Sequence, residues 1–446
     1  AALTQRLRTR LAQKRWDDAL SDLRLIRARF SGDVAGDADL AYAVTMVAAG
    51  RPADARDALQ AVAVGSDKYA AAEAAYWHGR AEESADPPAA AAAYLRVLSA
   101  DVPTHFAYFA RQRLADPPLA ARVQEEVSRR QQEVERLKAA GDLDRARQVQ
   151  TEVVLLSPAA ARSAAVESLK ALYRELPRYR EVLDLAPLDF PRLPLAAASP
   201  APASGPDRLD LLLAMGLFDD AIDLVPARYP LAPLQSALTR SLALYYGSAP
   251  RASIGAVETL MKSVPSDYLP QLLPRTVREL LYPRYFHDYV VEQSSKHGAD
   301  PRLVLSIMRE ESRFDPRAKS LAAARGLLQF IITTAREVGR SLGLVDVSSE
   351  DLYDPRIIIQ LGAKYIADLL KEFGGDPYKA AAAYNAGPFQ VRLWSRLSPG
   401  PGHDAFLSSV NFDETKNYVR KVLNSYERYG EIYEDRGPVG GLRVEP

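Results

Sequence analysis

Pro301-Arg-Leu-Val-Leu-Ser-Ile-Met-Arg-Glu-Glu-Ser-Arg-Phe314 is the stretch on which the reading of this chain turns. At about 100° per residue, Leu303, Val304, Ile307 and Met308 share one side of a helix. Glu311 lands in the middle of that stripe, one turn past Ile307 and two past Val304, with Glu310 on its flank. A carboxyl group where the pattern calls for a hydrophobe faces a core or a cleft. Desolvation disfavours its charged form, so its pKa is expected to rise, as a general acid working near neutral pH requires. The plainer reading of such a position, taken alone, is a half-buried Glu paired with an arginine or a helix end. The residues around it decide between the two.

Working outward, Asp300-Pro301, Asp354-Pro355 and Asp376-Pro377 each put an N-cap acid before a proline at the first helical position, a firm helix start. The helix from Pro355 carries Ile358, Leu361, Tyr365, Leu369 and Phe373 on one face and is expected to stop at Gly374-Gly375. A short Ala-rich helix runs from Pro377 to Gly387. Asp413 is expected to cap a last helix bearing Glu414, Tyr418, Val422 and Tyr426. Residues 276–446 therefore read as a compact helical domain.

Toward the N-terminus, residues 1–186 are rich in Ala, Leu and Arg with helical periodicity. Trp16-Asp17-Asp18-Ala19, Gly50-Arg51-Pro52-Ala53, Gly141-Asp142-Leu143-Asp144 and Phe218-Asp219-Asp220-Ala221 each close one amphipathic stretch and open another. Such punctuation predicts stacked helical hairpins, with the acids capping the new helix. Tyr76-Trp77-His78-Gly79-Arg80, Tyr94 and His105-Phe106 to Phe109 put aromatics on successive helices, which reads as packing. Prolines 187, 191, 194, 200, 202 and 206 make 187–208 an extended connector, and further hairpins follow over 209–275. The expected fold is all-α, an α-superhelix of hairpins followed by a globular helical domain.

Composition narrows the function. The 446 residues hold 57 Lys+Arg against 57 Asp+Glu, so net charge points neither to nucleic acid nor to a strongly anionic surface. With no cysteine there is no disulfide, thiolate metal site or thiol nucleophile. The five histidines (78, 105, 287, 297, 403) have no ligand-like spacing, so no metal and no cofactor is expected. No apolar run is long enough to span a membrane. The chain opens at Ala1 without signal-peptide character, so any secretory signal is expected to have been removed.

Four segments carry chemistry: Glu310-Glu311-Ser312-Arg313-Phe314, Arg325-Gly326-Leu327-Leu328-Gln329, Ala383-Tyr384-Asn385-Ala386-Gly387, and Glu414-Thr415 with Tyr418-Val419. In order and spacing they resemble the soluble lytic murein transglycosylases, over roughly residues 280–430. Tyr76-Trp77-His78-Gly79-Arg80 is similar, more loosely, to the superhelical region of the large soluble members. The chain departs from that pattern at Leu328 (usually Met), Ile331-Ile332 (Met-Pro), Leu321 and Ala323 (Pro and Gly), and Glu310 (often Gln).

The resemblance implies a lysozyme-like fold for 276–446, a cell-envelope or periplasmic location, and peptidoglycan glycan strands as substrate. It also implies a helical region able to hold strands or dock other cell-wall enzymes. Glu311 would be the single acid/base, protonating the MurNAc-β-1,4-GlcNAc oxygen and then deprotonating the muramyl C6 hydroxyl to leave a 1,6-anhydro end. Ser312, Gln329, Tyr384, Asn385, Glu414 and Tyr418 would bind or orient substrate. Taken singly, Asn385 also reads as a helix-end polar residue, Tyr384 and Tyr418 as core aromatics, and Glu414 as a first-turn acid favoured by the helix dipole. Two other functions stay open. A hydrolytic goose-type muramidase would need Asp315 or Glu414 to activate water, and a catalytically silent scaffold would only bind murein.

Overall fold

The computed structural model describes residues 2–64, 67–98, 105–185, 208–344 and 346–433. The connector expected over 187–208 lies, but for Arg208, outside the described residues. The chain forms two compact units, residues 1–176 with 385–420, and residues 177–384 with 421–446. The described residues contain helices, isolated bridges at Lys319–Arg325 and Arg325–Phe330, and no strand. The fold is all-α.

The first unit opens with α1 (Ala2–Ala12), α2 (Trp16–Arg29), α3 (Asp33–Ala48), α4 (Pro52–Ala63) and α5 (Lys68–Glu82). It continues through α6 (Pro87–Leu98), α7 (Phe106–Leu114), α8 (Pro117–Ala139), α9 (Leu143–Leu156) and α10 (Ala159–Glu175). Successive helices pack on one another, α3 on α4, α4 on α5, α5 on α6, α8 on α9 and α9 on α10, the hairpin stacking that the turn signals predict. Gly50 and Gly141 take left-handed φ of 73° and 78° at two of those turns, a conformation that costs glycine least. Asp142 caps α9 by accepting from the Arg145 N–H at 3.2 Å. The Asp17-Asp18 pair differs from expectation. It lies inside the first turn of α2, whose N-cap is Arg15, so it acts on the dipole and caps nothing. Asp219 and Asp220 do the same in the second unit.

The aromatic run on α5 is core, as expected, but with working polar tips. Tyr76 and Trp77 are each 1% exposed. An added Cβ at Gly79 would lie 2.5 Å from the Tyr94 ring, so glycine there admits that ring. The Tyr76 hydroxyl donates to Asp404 at 2.7 Å and Trp77 Nε1 donates to Ser408 at 3.0 Å. Arg80 pairs with Asp404, and Lys416 with the buried Glu73 at 2.7 Å. Residues 385–420 are thus fastened to the N-terminal helices by buried charges that all have partners, the condition under which burial of charge is tolerated.

The second unit runs from α11 (Arg180–Leu183), α12 (Arg208–Ala214), α13 (Phe218–Ile222) and α14 (Val225–Arg228) to the hairpin α15 (Pro233–Tyr246) and α16 (Pro250–Ser263). Then come α17 (Arg275–Leu281), α18 (His287–His297), α19 (Pro301–Ser312), α20 (Ile332–Ser341) and α21 (Pro355–Glu372). Helix α21 is the central support, packed on α18, α19 and α20. It ends where the sequence indicates, with Gly374 and Gly375 at φ of 67° and 82°. Helices α22 (Pro377–Ala386) and α25 (Asp413–Tyr433) pass from one unit into the other, with α23 (Pro388–Leu397) and α24 (His403–Ser409) between them. Asp413 is not the cap of α25. The Lys416 N–H bonds to the Phe412 carbonyl at 2.8 Å, so Asp413 stands in the first turn beside Glu414.

Candidate active site

Helix α19 is built as its sequence demands. Asp300 accepts from the Arg302 N–H at 2.9 Å, Pro301 follows at the first position, and Leu303, Val304, Ile307 and Met308 are fully buried. Glu311, on the same stripe, is half-buried in the last turn. The chain then leaves by two successive left-handed non-glycine residues, Arg313 at φ 54° and Phe314 at 60°. Such a turn costs on the order of 1–3 kcal/mol per residue and persists only where its surroundings enforce it. Here Phe314 is fully buried with its ring 5.7 Å from that of Tyr285, and Arg313 pairs with Glu258 at 2.9 Å.

Ser312 is buried. Its hydroxyl donates to the Leu327 carbonyl at 2.8 Å and reaches the Met308 carbonyl at 3.2 Å, tying α19 to the loop that holds Gln329. That loop doubles back tightly. Gly326 has φ 72°, and a Cβ there would lie 1.9 Å from the Leu352 carbonyl oxygen. Gln329 itself adopts φ 47°. Its side-chain amide donates to the Gly326 and Ala318 carbonyls at 2.9 and 3.2 Å, so both amide hydrogens serve the loop. Leu328 is fully buried, and Gly362 on α21 makes room for it, since a Cβ there would sit 2.1 Å from Leu328 Cδ1.

Tyr384 is the last of the candidate residues in the second unit. Its hydroxyl donates to the Leu328 carbonyl at 2.6 Å, and its ring packs with Tyr365 and Phe330 at 5.6 and 6.1 Å between centroids. Burial, then the charge of Glu311, then Tyr365 push the phenol well above its ordinary pKa. Tyr384 is therefore a fixed neutral donor within electrostatic reach of Glu311. The structure brings Glu311, Ser312, Gln329 and Tyr384 together in one unit.

Nearby acids are otherwise occupied. Glu310 turns off the apolar stripe, pairing with Arg309 at 2.6 Å and accepting from Ser425 at 2.9 Å. Asp315 accepts from the Arg317 N–H at 2.9 Å and faces Arg251 at 3.6 Å. In the other unit, Asn385 Oδ1 accepts from Thr415 Oγ1 at 2.7 Å, Glu414 is exposed, and Tyr418 is half-buried. Thr415 stands in the sequence only as the second residue of the Glu414-Thr415 motif. Its place one residue from Glu414, in the first turn of α25, was the sole sign of its role. The Tyr365–Phe330 support of Tyr384 and the Arg309–Ser425 hold on Glu310 gave no sequence signal beyond Tyr365 lying on an apolar face. Among the described residues, no group of three or more His, Cys, Asp or Glu side chains is placed to hold a metal ion.

The family model described as "Transglycosylase SLT domain" matches residues 288–406. The soluble lytic murein transglycosylase of Escherichia coli (strain K12) is 34% identical over 152 residues, covering 33% of this chain and 24% of that protein. A putative soluble lytic murein transglycosylase of Haemophilus influenzae is 31% identical over 182 residues, or 41% of this chain and 29% of that one. The chain thus spans about a quarter of the length of these relatives. The solved lytic transglycosylase Slt of Pseudomonas aeruginosa aligns over 97% of this chain and 63% of its own, at 20% identity and a TM-score of 0.45. Glu311, Ser312, Gln329, Tyr384 and Asn385 all lie within the SLT domain, whereas Glu414 and Tyr418 follow it.

Proposed function

We propose that this chain is a lytic transglycosylase of the cell envelope or periplasm. It would cleave the MurNAc-β-1,4-GlcNAc bond of peptidoglycan without water and leave 1,6-anhydroMurNAc ends. The observation that carries the reading is Glu311, set in the apolar stripe of α19 and within electrostatic reach of the neutral phenol of Tyr384. Most glycosidases use two carboxyl groups. Here the neighbours Glu310 and Asp315 are held by Arg309 and Arg251, which favours one acid/base working alone.

In this scheme Glu311 donates its proton to the glycosidic oxygen as the C1–O bond breaks. The muramyl C6 hydroxyl then attacks C1, and its proton returns to Glu311, so the group ends as it began. Tyr384, Gln329 and Ser312 act by fixing the loop beside Glu311 through its backbone carbonyls, while Asn385, Glu414 and Tyr418 bind substrate. Residues 276–446 serve as the catalytic domain and the hairpins of 1–186 and 209–275 as a surface for glycan strands or other wall enzymes.

The test is mass spectrometry of murein digested by the protein. We expect anhydromuramyl ends and no uptake of 18O from labelled water. Reducing ends carrying 18O would move the assignment to a hydrolytic muramidase. Glu311→Gln should lower the cleavage rate by roughly 10²–10⁴-fold with an unchanged unfolding midpoint. Full activity in that variant would remove Glu311 from the chemistry.

A further inference from the structure

The hairpin ahead of the SLT segment reaches the turn at which the candidate acid sits. The family match covers residues 288–406, so α15 and α16 lie outside it. Both belong to the second unit with Glu311, and they meet residues 313–315 by three routes. Glu258 on α16 pairs with Arg313 at 2.9 Å and faces Arg309 at 3.7 Å. Arg251, two turns earlier on the same face of α16, faces Asp315 at 3.6 Å. From α15 the Tyr245 ring packs on Tyr285 with centroids 4.9 Å apart, and Tyr285 packs on Phe314 at 5.7 Å.

The polarity of these pairs alternates. Helix α16 offers a cation to Asp315 and an anion to Arg313, so the two match in one register only. Arg309 anchors the other side. It donates from Nε to the Leu281 carbonyl at 2.8 Å, pairs with Glu310 at 2.6 Å and lies over the Tyr282 ring at 4.7 Å. The outer pair does little for stability, since Arg313 is 46% and Glu258 32% exposed and exposed ion pairs contribute little. What it fixes is position. Arg313 and Phe314 stand at φ 54° and 60°, a conformation that non-glycine residues keep only when held. Glu311 is two residues before Arg313, so a turn set free moves the end of α19 and the carboxyl group on it.

We propose that Glu258 is a positioning residue, holding the left-handed Arg313–Phe314 turn so that α19 ends where Glu311 reaches the glycosidic oxygen. The hairpin α15–α16 is then part of the frame of the active site. The inference rests on the acid/base role proposed for Glu311. Neutralising Glu258 leaves Arg309 with Glu310 and the Leu281 carbonyl, so the fold survives and the turn alone is released.

The experiment compares Glu258→Gln, Arg313→Gln and the double variant in the full chain. A displacement of about 1 Å costs on the order of 10²-fold in rate, and partial release of the turn should cost roughly tenfold in kcat. KM for murein strands and the unfolding midpoint should stay unchanged in Glu258→Gln. The double variant should be no slower than either single one, because both remove the same contact. Hydrogen exchange gives a readout that needs no activity. The Arg313 and Asp315 amides, bonded to the Arg309 and Ser312 carbonyls at 3.1 and 3.2 Å, should exchange faster in Glu258→Gln. Unchanged kcat with unchanged exchange overturns the proposal, as do losses that multiply in the double variant or a kcat loss that tracks a lowered midpoint. A wild-type chain that releases no murein fragments refutes the function proposed above, while faster exchange in Glu258→Gln leaves the clamp on the turn standing.

Discussion

The hairpins of the first unit and the loop between α19 and α20 bend the backbone in opposite styles. At the turns between helices α1 to α10 of the first unit the left-handed positions fall on Gly32, Gly50 and Gly141, with nothing within 4 Å of where a side chain would start, and on a single non-glycine among the described residues, Lys14 at φ 58°. Between α19 and α20 they fall on Arg313, Phe314, Ala323 and Gln329, four of the eight non-glycine residues at positive φ among the described residues. The one left-handed glycine in that loop, Gly326, is pressed against a backbone carbonyl. The scaffold turns cheaply and tolerates change; the candidate site holds strain that packing must enforce. Strain of this kind fixes Leu327 and Leu328 so that their carbonyls meet Ser312 and Tyr384.

Substitution can break that contrast. Gly326→Ala should be the most damaging change, destabilising the second unit by roughly 4 kcal/mol, because its Cβ collides with the Leu352 backbone, which cannot move aside. Urea unfolding of the variant measures it. Gly362→Ala meets only the tip of Leu328 and should cost about 1–3 kcal/mol as overpacking. It should also lower murein cleavage by shifting the carbonyl that holds Tyr384.

A third probe concerns protons in the first unit. His105 is 3% exposed, and burial first, then the charges of Arg111 and His403, lower its pKa to about 3. The unfolded chain, with an ordinary histidine near 6.5, binds that proton more readily. Stability is therefore intact above about pH 6.5 and is lost toward pH 3, by at most about 1.4 kcal/mol per pH unit. Unfolding of the protein and of His105→Phe between pH 5 and 7 should show the slope shrinking in the variant. The smallest effects belong to the turns themselves. Gly141→Ala should cost about 1 kcal/mol, and Ala323→Gly, at φ 61°, should gain a similar amount in thermal unfolding with cleavage unaffected.

Legibility followed the same division. Turn glycines, Asp-Pro helix starts and the face of α21 stood in the sequence because each is a local preference of a few adjacent residues. Glu311 was readable as a break in a periodic pattern, and the four segments could be ordered along the chain. What could not be read were long-range partners. Arg309 and Ser425 holding Glu310, Thr415 bonding Asn385 and Glu258 meeting Arg313 depend on which helix meets which. The displaced caps at Asp17 and Asp413 show a smaller limit, since an acid at a helix start serves as well inside the first turn as before it. Ala323 and Gln329 at positive φ run against local preference altogether, so no propensity argument would have found them.

The bonds from Tyr76, Trp77, Arg80 and Glu73 to residues 404–416 have a consequence for biosynthesis. The ribosome makes the N-terminal helices first, yet Lys416, which neutralises Glu73, and Asp404, which shares Arg80 with Glu83, emerge only after the whole intervening unit has been translated. At about 5–20 residues per second, α5 waits tens of seconds with its charges facing water. A nascent chain stalled before Asp404 should bind holdase chaperones through that uncovered helix and release them once Lys416 has cleared the exit tunnel.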